Sequence, residues 1–209
     1  MTIPKFDPER VFFTSDSHFC HESIIKYCER PFKSVEAMNE AIIENWNSVV
    51  GPKDTIFHLG DFGLGPSAKL KEIFQRLNGE IYLIMGNHDF RQSKGILSMF
   101  KKVHLEMLIE VEKTKIILNH YPMLCFSGSN RTDVWQIFGH VHTREKTGGF
   151  DARRLQHLFP TQYDVGVDNN NFTPVSFEQI KQIIQKQIEK RKIIYGKDSI
   201  YRQLSGRPN

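Results

Sequence analysis

The sequence predicts a layered α/β domain on two observations: five short apolar runs rich in strand formers, and between them stretches whose apolar residues recur at helical spacing. The runs are Val11 to Ser15, Thr55 to Leu59, Ile81 to Met85, Lys115 to Leu118 and Val134 to Phe138. The first helix is predicted from a cap at Ser34, with Val35, Met38, Ala41, Ile42, Trp46 and Val49 on its apolar side and Gly51-Pro52 ending it. A second runs from Pro66-Ser67 to Leu77, carrying Leu70, Ile73, Phe74 and Leu77 on one face, with Gly79 just beyond. A third starts near Ser176 and aligns Phe177, Ile180, Ile183, Ile184 and Ile188. Val103 to Glu112 and Lys115 to Leu118 read as two strands joined by a turn at Lys113-Thr114, a hairpin that calls for a second sheet. Thr143 to Gln162 lacks periodicity and is expected to be a long loop, while Ser205 to Asn209 is expected to fray.

Composition bounds the function classes. With 209 residues and 39% hydrophobic content, the chain builds one well-buried core. A single domain is expected over residues 1–195, followed by a tail over 196–209. The net charge of +4 is mildly basic and falls short of the Lys/Arg stripe of a nucleic-acid-binding face; the basic stretch from Lys186 to Lys192 reads as a solvated helix face. Cys20, Cys28 and Cys125 are odd in number and form no Cys-x-x-Cys pair, so neither a disulfide framework nor a thiolate site is expected, and a reducing compartment is. No charged-then-apolar leader opens the chain and no run approaches the ~20 apolar residues of a membrane span. The expected location is cytoplasmic, with no membrane partner.

Each of the five runs ends at a side chain able to hold a divalent cation. Asp16 and His18 follow the first, Asp61 the second, Asn87 the third, His120 the fourth, and His140 and His142 the fifth. Carboxylate, imidazole and amide oxygen together suit a hard-to-borderline ion such as manganese, iron or zinc. A pair of ions held roughly 3.5–4 Å apart needs a bridging carboxylate, and Asp61, with no other ligand beside it, is the candidate. Gly60, Gly86 and Gly139 precede Asp61, Asn87 and His140, which allows tight turns and close approach. His58, His104 and His157 lack this context and read as partly buried or surface imidazoles.

These blocks, Asp-x-His, Gly-Asp, Gly-Asn-His-Asp, Asn-His-Tyr-Pro and Gly-His-x-His, resemble those of the calcineurin-like metallophosphoesterases over roughly residues 10–185. Thr14 to His21 resembles the first block of the small bacterial, archaeal and phage-type members, with Cys20 where those usually carry Gly. Asp164-Val165-Gly166-Val167-Asp168 and Pro174-Val175-Ser176 resemble that group's closing strand and helix. The resemblance implies a four-layer α/β/β/α sandwich of two mixed sheets flanked by helices, with the dimetal site at one end. It implies that Asp16, His18, Asp61 and His142 hold one ion while Asp61, Asn87, His120 and His140 hold the other. It also implies in-line attack of a metal-bridging hydroxide on a phosphoester, with His88 as general acid or phosphate contact. The role of Asp89 stays open.

Where the protein Ser/Thr phosphatases continue with an Asp-Arg pair after Gly-Asp, this chain reads Phe62-Gly63-Leu64-Gly65-Pro66, so their bidentate phosphate clamp is missing. The candidate substrate contacts are instead His21, Arg91 and Arg131, the two arginines having a solvated surface role as their simpler reading. The expected cofactors are two divalent ions, manganese first, with iron, zinc, nickel and cobalt also fitting. The expected partner is a small phosphomonoester or phosphodiester, nucleotides included. A two-metal nuclease is the alternative, disfavoured by the absence of a basic stripe, and a binding scaffold without catalysis comes third.

Overall fold

A computed structural model describes residues 2–143, 155 and 157–195. Its strands are β1 (Lys5–Phe6), β2 (Val11–Thr14), β3 (Thr55–His58), β4 (Glu80–Ile84), β5 (Lys102–His104), β6 (Glu106–Val111), β7 (Thr114–Asn119), β8 (Val134–Phe138), β9 (Gln162–Asp164) and β10 (Val175–Ser176). Its helices are α1 (Glu22–Tyr27), α2 (Val35–Val49), α3 (Ser67–Arg76), α4 (Lys94–Leu97) and α5 (Phe177–Tyr195), with 3-10 turns at Asp89–Arg91 and Val167–Asn169.

The strands form two mixed five-stranded sheets, ordered β10-β2-β3-β4-β5 and β1-β6-β7-β8-β9. In the first, β2 to β5 run parallel and only β10 is antiparallel. In the second, β6 and β7 form the antiparallel hairpin while β8 and β9 continue in parallel. Alternate residues of both sheets meet in one core: Phe13, Phe57 and Ile84 from the first face Ile109, Ile116 and Ile137 from the second, joined by Phe177, Ile180 and Ile184 of α5. The opposite face of the first sheet, with Ile56, Ile81 and Leu83, is covered by Met38, Ile42 and Trp46 of α2 and Leu70 and Ile73 of α3. Two mixed sheets flanked by helices are thus the architecture, as expected. No described helix is long and apolar enough to cross a membrane.

The capping expectation holds at Ser34, whose hydroxyl accepts the Ala37 N–H at 3.2 Å. The segment Val103 to Glu112 differs from its reading as one strand. Val103 packs on the helix-covered face of the first sheet, whereas Ile109 and Val111 enter the core between the sheets, so the chain changes sheet at Leu105, which is left exposed. One apolar run therefore serves two cores. The hairpin turn is also one residue earlier than expected: Val111 pairs with Thr114, and Glu112 takes the left-handed backbone, φ 54°, that so short a connection requires. His58 is wholly buried, with Nε2 2.9 Å from Ser17 Oγ. The tail expected over 196–209 and most of the loop expected between Thr143 and Gln162 lie outside the described residues.

Candidate dinuclear metal centre

Because β2, β3 and β4 are parallel, as are β7 and β8, the segments leaving their C-terminal ends converge, and these carry every expected ligand. The backbone there is bound tightly: Asp16 N–H donates to Gly60 O at 2.9 Å and His18 N–H to Asp61 O at 3.0 Å. Asp16, His18, Asp61, His140 and His142 all take left-handed backbone, with φ between 45° and 73°. Non-glycine residues pay about 1–2 kcal/mol for this conformation, and it persists only where surrounding contacts over-determine it. Two glycines make room. Gly60 has φ 98°, and a Cβ there would stand 2.5 Å from Gly86 N; a Cβ on Gly139 would overlap Ser15 Oγ and Asp16 Oδ2.

Four groups of metal-capable atoms come together among the described residues, and two of them gather the expected ligands. Asp16, His18 and His142 form one and Asp61, His120 and His140 the other, the ligand atoms in each lying within 4.8 Å of one another. Asp61 Oδ2 stands between them, 3.6 Å from His18 Nε2 and 3.6 Å from His120 Nε2. Asn87 Oδ1 lies 3.2 Å from His120 Nε2, and His142 Nε2 is 3.8 Å from Asp16 Oδ1. His18 Nε2 and Asp16 Oδ1 are both buried without a hydrogen-bond partner. Such orphans each cost about 1–3 kcal/mol unless something else coordinates them, so a cation fits the donor set that the first cluster presents.

The far nitrogens are used to aim the near ones. His120 Nδ1 donates to Leu59 O at 2.6 Å and His142 Nδ1 to Asp168 Oδ2 at 2.7 Å, which turns both Nε2 atoms toward the clusters. His18 Nδ1 is 3.1 Å from Nδ1 of His21, so His21 holds the ring of His18. Burial, then the charge of His142, pushes His18 well below the usual imidazole range, and burial lowers His140 too. Neutral imidazole is the ligating form. Burial raises Asp61, with His120 opposing and Asp16 adding to the rise, and a divalent ion supplies the countercharge that two neighbouring carboxylates lack.

Three residues that motif reading did not place complete the site. Asp89 accepts N–H bonds from Asp61 at 2.7 Å, Phe62 at 3.1 Å and Gly86 at 2.8 Å, which ties the loop carrying the bridge to the loop carrying Asn87. Arg30 donates to Asp16 O at 2.7 Å and Ser17 O at 3.0 Å, and grips both oxygens of Asp168 at 2.9 and 2.8 Å. Neither side chain of that pair is exposed. Although burial opposes it, hydrogen bonding from His142 and the Arg30 charge hold Asp168 down at about 2. Asp168 sat in a segment legible only as the closing strand, and Arg30 carried no signal beyond preceding a proline.

His88 stands on the open side, its side chain 31% exposed, with Nε2 3.8 Å from Asp61 Oδ2 and its backbone N–H on Asp61 Oδ1 at 2.9 Å. Its ring lies beside those of His18 and His21. Arg91 is exposed at the end of the 3-10 turn that follows His88. Arg131 is not brought to the clusters. It precedes β8, at the strand end opposite His140, and its guanidinium is occupied by Asp133 at 2.9 and 2.6 Å.

Comparison with known proteins agrees with this geometry. The calcineurin-like phosphoesterase superfamily domain matches residues 10–155. The chain is 36% identical over 179 residues to the uncharacterized protein MJ1445 of Methanocaldococcus jannaschii, covering 85% of this chain and 92% of that one. It is 25% identical to the Gene 66 protein of Mycobacterium phage L5, over 75% of this chain and 86% of the relative. Among solved structures it resembles AQ665 from Aquifex aeolicus, a protein of unknown function, with a TM-score of 0.66 and 27% identity over 83% of this chain and 98% of that one. A matched domain that spans most of the chain, on a fold that gathers its motif residues into two metal-capable clusters, shows that this protein belongs to the calcineurin-like phosphoesterase superfamily.

Proposed function

We propose that the protein is a two-metal hydrolase of small phosphomonoesters or phosphodiesters, nucleotides included. The observation that carries this is the pair of orphaned buried atoms, His18 Nε2 and Asp16 Oδ1, beside a carboxylate shared with the second cluster and below an open-sided imidazole. Asp16, His18, Asp61 and His142 would hold one ion and Asp61, Asn87, His120 and His140 the other. Two bound divalent ions supply the acidity that makes water a nucleophile at neutral pH and the positive charge that phosphoryl transfer needs. His88 then holds a proton at Nε2 for the departing oxygen, fixed at its backbone by Asp61 Oδ1. His21, whose ring lies beside His88, and Arg91, three residues beyond His88, are the proposed phosphate contacts; Arg131 is withdrawn from that role by its place in the fold. Manganese is the proposed ion of first choice, on ligand chemistry alone.

Chelator-treated protein titrated with manganese is expected to take up close to two ions per chain and to gain phosphoesterase activity with them. The screen pairs a chromogenic monoester and diester with cyclic nucleotides and single- and double-stranded DNA. No specific uptake of divalent ions would overturn the reading, and turnover of DNA alone would make the protein a nuclease.

His88→Asn is expected to keep both ions: the His88 ring does come within ligand distance of His18 and Asp61, but each ion keeps its full proposed set of four ligands without it. Hydrolysis of esters with poor leaving groups should slow by about 10²-fold or more, and nitrophenyl esters should suffer less, since nitrophenolate departs without a proton. A uniform loss across both would make His88 a stabiliser of phosphoryl charge rather than a proton donor.

A further inference from the structure

The loops that follow β7 and β8 carry apolar side chains as well as ligands. Tyr121, Pro122, Leu124, Val141 and Leu158 line a cavity of about 440 Å³ that has His140 in its wall. The Tyr121 ring meets His120 and His140 edge to face, with centroids 4.9 and 4.7 Å away, so the cavity and the second metal cluster share a partition. Leu124 is 76% exposed and Tyr121 43% exposed, an uncovered apolar surface at the mouth of a polar site. Apolar concavities of this size beside a few convergent polar groups are typical ligand sites. Among the described residues, no Lys, Arg, Asp or Glu lines this one, and besides His140 its wall holds Leu155 and the imidazole of His157.

We propose that this cavity receives the organic group of the phosphoester and selects an apolar aromatic group over a short polar one. The proposal rests on the hydrolase reading above and deepens it. With the phosphoryl group at the clusters, an ester substituent on the His140 side lies against the Tyr121 ring and the Leu124 side chain. Tyr121 offers a rigid face for stacking.

The test compares 1-naphthyl phosphate with glycerol 2-phosphate in the manganese-loaded wild type and in Leu124→Ser/Leu158→Ser. In the variant, kcat/KM for the naphthyl ester should fall about tenfold, the scale of a lost apolar pocket contact, and the fall should come through KM. Turnover of glycerol 2-phosphate should hardly change. Equal losses on both esters would overturn the proposal. Titration of the same two proteins with naphthylmethylphosphonate and methylphosphonate reads the cavity without turnover. Tighter naphthyl binding that disappears in the variant supports the subsite even if neither ester is hydrolysed, in which case the hydrolase reading alone fails. Equal affinity for the two phosphonates overturns the subsite and leaves the hydrolase reading standing.

Discussion

Asp61→Asn is expected to strip the protein of both ions and to lower kcat/KM by about 10³-fold or more, beyond the 10²–10³ that loss of one electrostatic contact costs. Asp61 Oδ2 lies 3.6 Å from an imidazole nitrogen of each cluster. The amide keeps an oxygen that can still accept the His88 N–H but removes the negative charge that two cations share. His142→Ala is the contrast. His142 belongs with Asp16 and His18, so its loss should weaken one ion and leave the other. Metal analysis after dialysis reads the difference, with circular dichroism as the check on folding. Equal metal loss in the two variants would contradict the assignment of the bridge.

Arg30→Met is expected to destabilise the fold by about 3–5 kcal/mol, because it breaks the buried Arg30–Asp168 pair while Asp168 stays buried on its His142 hydrogen bond. For a chain of this size that is a fall in Tm of roughly 10 °C. The same change frees the carbonyls of Asp16 and Ser17, which Arg30 holds at 2.7 and 3.0 Å, so the first cluster should also lose metal affinity. Arg30→Met/Asp168→Leu separates the two effects. Replacing both charges by apolar groups should recover much of the stability, while metal binding stays weak because His142 Nδ1 has lost its acceptor. Thermal melts of the metal-free proteins and metal titrations of the same samples measure each part. An unchanged Tm in the single variant would remove the buried pair from the account of the fold.

Much of the candidate centre is legible in the chain because its proposed ligands lie at the ends of strands that announce themselves locally. Val11 to Thr14 and Val134 to Phe138 are short apolar runs, and Asp16, His18, His140 and His142 follow within a few residues. The helix from Val35 to Val49 is legible for the same reason, with its cap at Ser34 and its periodic apolar face. What escaped reading is whatever depends on partners far along the chain. Arg30 and Asp168 are 138 positions apart, and nothing near either one shows that they meet under Asp16 and His142. The exchange of sheets at Leu105 was hidden because apolar residues on both sides satisfy one pattern while facing two different cores. Asp89 looked like a motif neighbour of His88, yet its carboxylate turned away to hold three backbone N–H groups.

By itself, the sequence determined which donor groups this protein offers: their types, their order and their place after strands are local properties of a few residues each. The tertiary structure alone decided how those ligands are aimed and what else reaches the site. It paired Arg30 with Asp168, moved Arg131 to the wrong end of β8, and set an apolar cavity against His140. The physical reason is that aim, burial and enclosure are relations between distant segments, and only packing of the two sheets brings those segments within hydrogen-bonding distance.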